Sequence, residues 1–181
     1  MEYRKPILRR SLVANREGGP PIAREARTSS TAFIPWNDTV ATCLQHRAAE
    51  FQGFLPRQKI EMVQVVQYQK SQEYRAHFDW GVKSAHKAER DTTFFGILKG
   101  DCEFCGTQFP EIAIDWSQED PKWCDFVECE KRDMLTFRAI EGSAVFWRNL
   151  DDKGRGDRRT LHAGLPVQNG TKIGLNIWTI V

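Results

Sequence analysis

The sequence predicts a mainly β domain with one flanking helix, of the sandwich or jelly-roll kind. Three observations carry this. Short runs rich in β-branched and aromatic residues recur along the chain, as in EMVQVVQYQ (61–69), DTTFFGILKG (91–100) and TKIGLNIWTIV (171–181). Turn-forming stretches separate such runs, DDKGRGD (151–157) being the clearest. A single helical period precedes them. With 181 residues, 40% hydrophobic and 28% charged, the chain is long enough to bury one full core.

The elements follow in order. Residues 1–36 hold many Gly, Pro, Arg and Ser with no sustained period, and read as an irregular, partly extended arm. The domain proper is 37–181. Asn37 or Asp38 caps a helix in which Val40, Leu44, Ala48 and Phe51 recur about every 3.6 residues, and Gly53 and Pro56 end it. Strands are predicted at 61–69 and 91–100, followed by a cysteine-bearing loop over about 101–133. Four more come at MLTFRAI (134–140), SAVFWRN (143–149), RTLHAGL (159–165) and TKIGLNIWTIV (171–181).

Composition narrows the function classes. Basic and acidic residues number 26 and 24, a net charge of +2, so no bulk electrostatic case exists for a nucleic-acid partner. No apolar run approaches the roughly 20 residues of a membrane helix, and no membrane partner is expected. The start, MEYRKPILRRSL, is basic without the long apolar run of a secretory signal.

The five cysteines are Cys43, Cys102, Cys105, Cys124 and Cys129. Cys43 falls in the helical pattern and is expected to be a buried free thiol. The other four are spaced C-x2-C and C-x4-C. A four-thiolate zinc site, disulfides and free thiols all remain open on spacing alone. Under the disulfide reading, at least one bridge is expected to join the 102–105 pair to the 124–129 pair.

The chemistry lies in YRAHFDW (74–80). In a strand, His77 and Asp79 point to one face and Phe78 to the other. A histidine and a carboxylate on one face make half of a metal site, and His162, in a later predicted strand, completes two histidines and one carboxylate. That is the facial triad of non-haem Fe(II) oxygenases, which leaves positions open for a co-substrate and dioxygen. The usual co-substrate, 2-oxoglutarate, needs a buried cation at its distal carboxylate. Lys172 supplies one if Ile173, Leu175 and Ile177 face an outer packing layer, because Lys172, Gly174, Asn176 and Trp178 then face inward.

At these residues the chain resembles the prolyl 4-hydroxylase-like, 2-oxoglutarate- and Fe(II)-dependent dioxygenases. The resemblance runs from about residue 26 to the end. It rests on Arg27-Thr28-Ser29, VVQYQKSQEYRAHFDW (65–80), TQFP (107–110), GSAVFW (142–147) and HAGLPVQNGTKIGLNIW (162–178). It implies a double-stranded β-helix core, His77, Asp79 and His162 as iron ligands, and Lys172 at the distal carboxylate. It further implies that Tyr68 and Thr107 hold the co-substrate and that Tyr74, Arg90 and Trp178 line the substrate channel. Ascorbate is the implied reductant. The sequence departs from the family at Phe104-Cys105-Gly106, where a Gly-Gly pair is usual.

The expected activity is hydroxylation of a C–H bond, on a peptidyl proline or, in the alternative, on a small molecule or free amino acid. The loop at 80–92, the cysteine loop and the arm are expected to decide between an open groove and a lidded pocket. A catalytically silent jelly-roll binding module is the reading from a different class. The resemblance implies the endoplasmic reticulum lumen or secretory route, or the cytoplasm if the start is genuine.

Overall fold

A computed structural model describes residues 7–13, 25–81 and 89–181. Residues 82–88, most of the loop expected to set substrate access, and much of the arm lie outside them. The strands are β1 (Arg9–Arg10), β2 (Ser30–Phe33), β3 (Gln64–Tyr68), β4 (Tyr74–His77), β5 (Arg90–Glu103), β6 (Thr107–Phe109), β7 (Leu135–Phe137), β8 (Ala144–Arg148), β9 (His162–Gly164) and β10 (Asn169–Ile180). They form two antiparallel sheets, ordered β1-β2-β3-β10-β5-β8 and β4-β9-β6-β7. The two sheets make the expected double-stranded β-helix. The arm read as irregular thus supplies β1 and β2, short strands on the edge of the larger sheet. The cysteine loop is shorter than expected: β5 runs on to Glu103, and β6 starts at Thr107 after three intervening residues.

The helix α1 (Thr39–Phe51) starts where the sequence places it, with the Asp38 carboxylate accepting from the Ala41 amide at 2.9 Å. Such a cap is worth about 1 kcal/mol. Its buried face is the predicted one only in part: Ala48 is buried and Leu44 packs against the core. Ala41, Gln45, Ala48 and Ala49 face the sheet, whereas Val40 and Phe51 are 55% and 68% exposed. Alanines let the helix sit close to the sheet, and Phe51 instead covers the rings of Phe94 and Phe146 edge-on. Cys43 is exposed, contrary to expectation. Two residues on from Ala41 is about 200° around the helix, which turns the thiol away from the sheet.

Strand β10 is central and carries the layering. Its Leu175 and Ile177 pack outward with Ile60, Val63 and the helix alanines. Its Lys172 and Trp178 are buried on the inner side, so the predicted alternation holds. The inner core gathers Val66, Tyr68, Phe95, Ile97, Cys105 and Val167. Gly174 is required at its position: a Cβ there would lie 2.5 Å from the Phe95 ring.

The cysteines form Cys102–Cys105 and Cys124–Cys129, with Cα–Cα distances of 6.0 and 5.4 Å. The expected bridge between the two pairs is therefore wrong. Cys102 closes the end of β5 and Cys105 opens the way to β6, so the two straddle one tight turn at Phe104 (φ +51°). The second pair closes its own short loop around Val127.

Candidate active site

His77 is the last residue of β4 and pairs in register with His162, the first residue of β9. The register alone therefore sets the two imidazoles side by side, 4.2 Å between ring centroids. Asp79 is not in the strand. It sits in the bend just beyond β4, so strand alternation does not place it as the sequence suggested. Two buried donors do: the Thr93 hydroxyl, 2.7 Å from Oδ2, and the Trp178 indole N–H, 3.0 Å from the same oxygen.

Ligand atoms of His77, Asp79 and His162 lie within 4.8 Å of one another. Nδ1 of His77 faces the Arg75 carbonyl at 2.9 Å, and Nδ1 of His162 faces the Thr160 carbonyl at 2.8 Å. A carbonyl only accepts, so both Nδ1 atoms donate, and Nε2 is the nitrogen each ring presents to the site. These Nε2 atoms point at the carboxylate, each 3.9 Å from one of its oxygens. Burial, reinforced by His162, drives the His77 pKa down to about 3, so its ring is neutral. Burial raises the Asp79 carboxyl, but the two histidines, Arg90 and the Thr93 hydroxyl outweigh it and hold it at about 2. Two imidazoles and one carboxylate, oriented by outer hydrogen bonds, fit a divalent first-row metal such as Fe(II).

Tyr74 stacks on His77, ring centroids 3.5 Å apart, which fixes that imidazole on its open face. Trp147 packs edge-on against His162 at 4.9 Å. Arg90 donates to both carboxylate oxygens of Glu61, at 2.7 and 3.0 Å, and its guanidinium lies 3.6 Å from the Trp178 ring centroid. Trp178 thereby has two tasks, holding Asp79 and carrying Arg90.

Lys172 is fully buried. Its ammonium donates to the carbonyls of Cys105 and Gly106 and stands 4.8 Å from the Tyr68 ring centroid. Among the described residues it has no carboxylate partner. Burial pulls its pKa down to about 7 and pushes the Tyr68 phenol up to about 12. Tyr68 pairs with Lys172 across β3 and β10, and Thr107 follows Gly106, so all three gather at one end of the site.

A cavity of about 900 Å³ joins these groups. Tyr68, Thr107, His77, Asp79 and His162 line its inner end, and Lys172 lies behind Tyr68 and Thr107. It passes Tyr74, Arg90 and Trp178, then opens along β1 and β2 past Phe33 and Trp36. Every candidate site residue read from the sequence except Lys172 therefore lines one cavity, and Lys172 is next to one of its lining residues, Tyr68. Sequence reasoning missed Thr93 and Asn149, both fully buried, and Glu61 and Gln64 on the wall. The only trace was polar residues inside otherwise apolar strands.

Comparison with known proteins follows the same line. Residues 63–180 match the sequence profile of the 2OG-Fe(II) oxygenase superfamily. A probable prolyl 4-hydroxylase 4 of Arabidopsis thaliana is 30% identical over 181 residues, spanning 96% of this chain and 59% of the relative. Prolyl 4-hydroxylase subunit alpha-1 of Gallus gallus is 29% identical over 186 residues, spanning 98% of this chain and 32% of the relative. The chain thus spans less than two thirds of the length of these curated relatives. Among solved structures, the viral collagen prolyl hydroxylase of Paramecium Bursaria Chlorella virus-1, in its 2OG complex, superposes with a TM-score of 0.63 at 25% identity. That match covers 84% of this chain and 78% of the other. A Trichoplax adhaerens prolyl hydroxylase bound to a hypoxia inducible factor peptide fragment shares the fold, with a TM-score of 0.59 at 12% identity over 96% of this chain and 70% of the other.

Proposed function

This chain belongs to the 2OG-Fe(II) oxygenase superfamily, and from that we propose that it hydroxylates a peptidyl proline. Fe(II), 2-oxoglutarate and dioxygen are its co-reactants, with ascorbate as reductant. His77, Asp79 and His162 hold the iron. The iron, when bound, supplies the redox chemistry that couples decarboxylation of 2-oxoglutarate to succinate with insertion of one dioxygen atom into a C–H bond.

The remaining work falls to the protein's own groups. Lys172 meets the distal carboxylate of 2-oxoglutarate, with Tyr68 and Thr107 beside it to orient the chain of the co-substrate. Tyr74 stacks on His77 and keeps solvent from that face of the site. Arg90, rigid between Glu61 and Trp178, presents its remaining N–H groups to the channel, where a substrate carbonyl is the natural acceptor. Trp147 and Phe109 close the inner end around His162. Burial of these groups keeps bulk water off the reacting C–H bond.

The observation that favours a peptide is the shape of the cavity. It does not end at the triad but runs out along the β1–β2 edge, where Ile7, Leu12, Phe33 and Trp36 stand exposed. Apolar side chains lining an open channel suit an extended polypeptide, whereas a free amino acid needs a closed pocket. The two disulfides support residence in an oxidising compartment of the secretory route.

The test is succinate production by the iron-loaded protein with proline-containing peptides, free proline and small carboxylic acids, with products read by mass spectrometry. The expected result is stimulation by peptide with one oxygen atom added to a proline. Stimulation by the small molecules alone overturns the peptide assignment.

A further inference from the structure

We propose that Thr93 and Asn149 are positioning residues for Asp79, forming with Trp147 a one-way hydrogen-bond chain that fixes which carboxylate oxygen faces the metal. The inference rests on the triad being a metal site.

The chain is built by strand register. Thr93 of β5 is the direct partner of Trp147 on β8 and of Trp178 on β10. Residues paired in register across neighbouring strands project to one face, so Trp147, Thr93 and Trp178 form a row across three strands. Asn149, two residues beyond Trp147, is tied by its own backbone: its N–H donates to the Asp91 carbonyl and its carbonyl accepts from the Asp157 amide at 2.9 Å. Asn149 and Thr93 are both completely buried, and water does not compete for their polar atoms.

The polarity of the chain follows from donor chemistry. An indole N–H only donates, and Trp147 Nε1 lies 2.9 Å from Asn149 Oδ1. That contact sets the amide with its oxygen toward Trp147 and its nitrogen toward Thr93. Asn149 Nδ2 then donates to Thr93 Oγ1 at 2.8 Å. With its oxygen accepting, the Thr93 hydroxyl directs its single hydrogen to Asp79 Oδ2 at 2.7 Å. Trp178 adds a second donor to the same oxygen. Oδ2 is therefore anchored by two buried donors while lying 3.9 Å from His162 Nε2, and Oδ1, which receives neither of those donors, lies 3.9 Å from His77 Nε2. Without the amide to define its direction, the Thr93 hydroxyl is free to rotate. The carboxylate then loses the constraint that separates its two oxygens.

Two substitutions of nearly unchanged volume test this. Thr93→Val removes the hydroxyl. Asn149→Asp replaces the amide donor by an acceptor, so the Thr93 hydrogen turns to residue 149 and away from Asp79. Co(II), which is stable in air, is the probe; its affinity is measured by calorimetry on the metal-free protein, with thermal unfolding of each variant recorded alongside. Thr93→Val is expected to weaken Co(II) binding about 10- to 100-fold, the usual effect of losing an outer hydrogen bond to a ligand, with Thr93→Ser close to the parent. Asn149→Asp is expected to weaken it too. An added negative charge alone would tighten cation binding, so weakening in that variant reports the turned hydroxyl. Parent-like Co(II) affinity in both Thr93→Val and Asn149→Asp overturns the inference, as does Thr93→Ser binding no better than Thr93→Val. A parent protein that binds no Co(II) overturns the metal-site reading itself.

Discussion

The ammonium of Lys172 lies 4.8 Å from the ring centroid of Tyr68, its register partner on the neighbouring strand; Lys172 is fully buried and Tyr68 nearly so. A lysine in such surroundings is costly unless an anion joins it. Under the proposed function that anion is the distal carboxylate of 2-oxoglutarate. Lys172→Ala is expected to raise the KM for 2-oxoglutarate by roughly 30- to 1,000-fold, the equivalent of about 2–4 kcal/mol. Lys172→Arg is expected to restore only part of it, because the longer planar fork does not fit the same recess. Steady-state succinate formation against 2-oxoglutarate concentration, for parent and both variants, measures this.

Acidity gives the same site a pH signature. Burial holds the Lys172 pKa at about 7, below its ordinary value. Below pH 7 the folded and unfolded chains both carry the proton, and the fold bears the full cost of the buried charge. From about 7 to about 10.4 only the unfolded chain binds it, so this residue makes stability rise with pH over that window. A bound carboxylate raises the pKa again. Binding of 2-oxoglutarate at pH 8 is therefore expected to take up a proton, and its affinity to fall by up to about tenfold per pH unit above 7. Calorimetry in two buffers of different ionisation enthalpy reads the proton count, and Lys172→Ala should abolish it.

The Glu61–Arg90 pair is a bidentate ion pair in the channel wall. Both side chains are largely buried, at 12% and 18% exposed. Glu61→Ala leaves a buried guanidinium without its partner against Trp178. The expected cost is about 3–5 kcal/mol, or roughly 6–20 °C in Tm for a domain of this size. Thermal unfolding followed by circular dichroism measures it. Peptide KM should rise in the same variant, because Arg90 no longer holds its place.

Gly156 connects a distant turn to His162. A Cβ at this position would meet the Trp80 ring at 2.3 Å. The Trp80 indole donates to the Asp157 carbonyl and to the Thr160 hydroxyl, and the Thr160 carbonyl in turn receives Nδ1–H of His162. Gly156→Ala is expected to cost about 1–3 kcal/mol through overpacking and to weaken Co(II) binding as His162 loses its orientation. Melting temperature and Co(II) affinity together check both halves.

Particular residues show where the sequence was informative. His77, His162 and Lys172 were legible because each lies in a strand, where period two decides the face. Asp79 does stand beside the two histidines, but strand alternation is not what puts it there: it lies past the strand end, and its direction comes from Thr93 and Trp178 on other strands. The Thr93–Asn149 chain was invisible because it exists only once three strands take their register. The helix was legible in position and only half in facing: Leu44 and Ala48 pack inward, but a sheet that admits alanines leaves Val40 and Phe51 outside. Cysteine pairing failed for a similar reason. Spacing does not say that β5 runs on to Glu103, and that extension is what brings Cys102 and Cys105 to opposite sides of one turn.

The most direct test of the account is optical. Fe(II) added without oxygen to the metal-free protein, followed by 2-oxoglutarate, is expected to give a weak visible charge-transfer band. That band requires iron on His77, Asp79 and His162 and the co-substrate chelated to it. It should be absent in Asp79→Ala and shifted to higher 2-oxoglutarate concentration in Lys172→Ala, with both variants still folded by circular dichroism. A folded parent that shows no band, or an Asp79→Ala variant that keeps it, would contradict the assignment of this cavity as an iron and 2-oxoglutarate site.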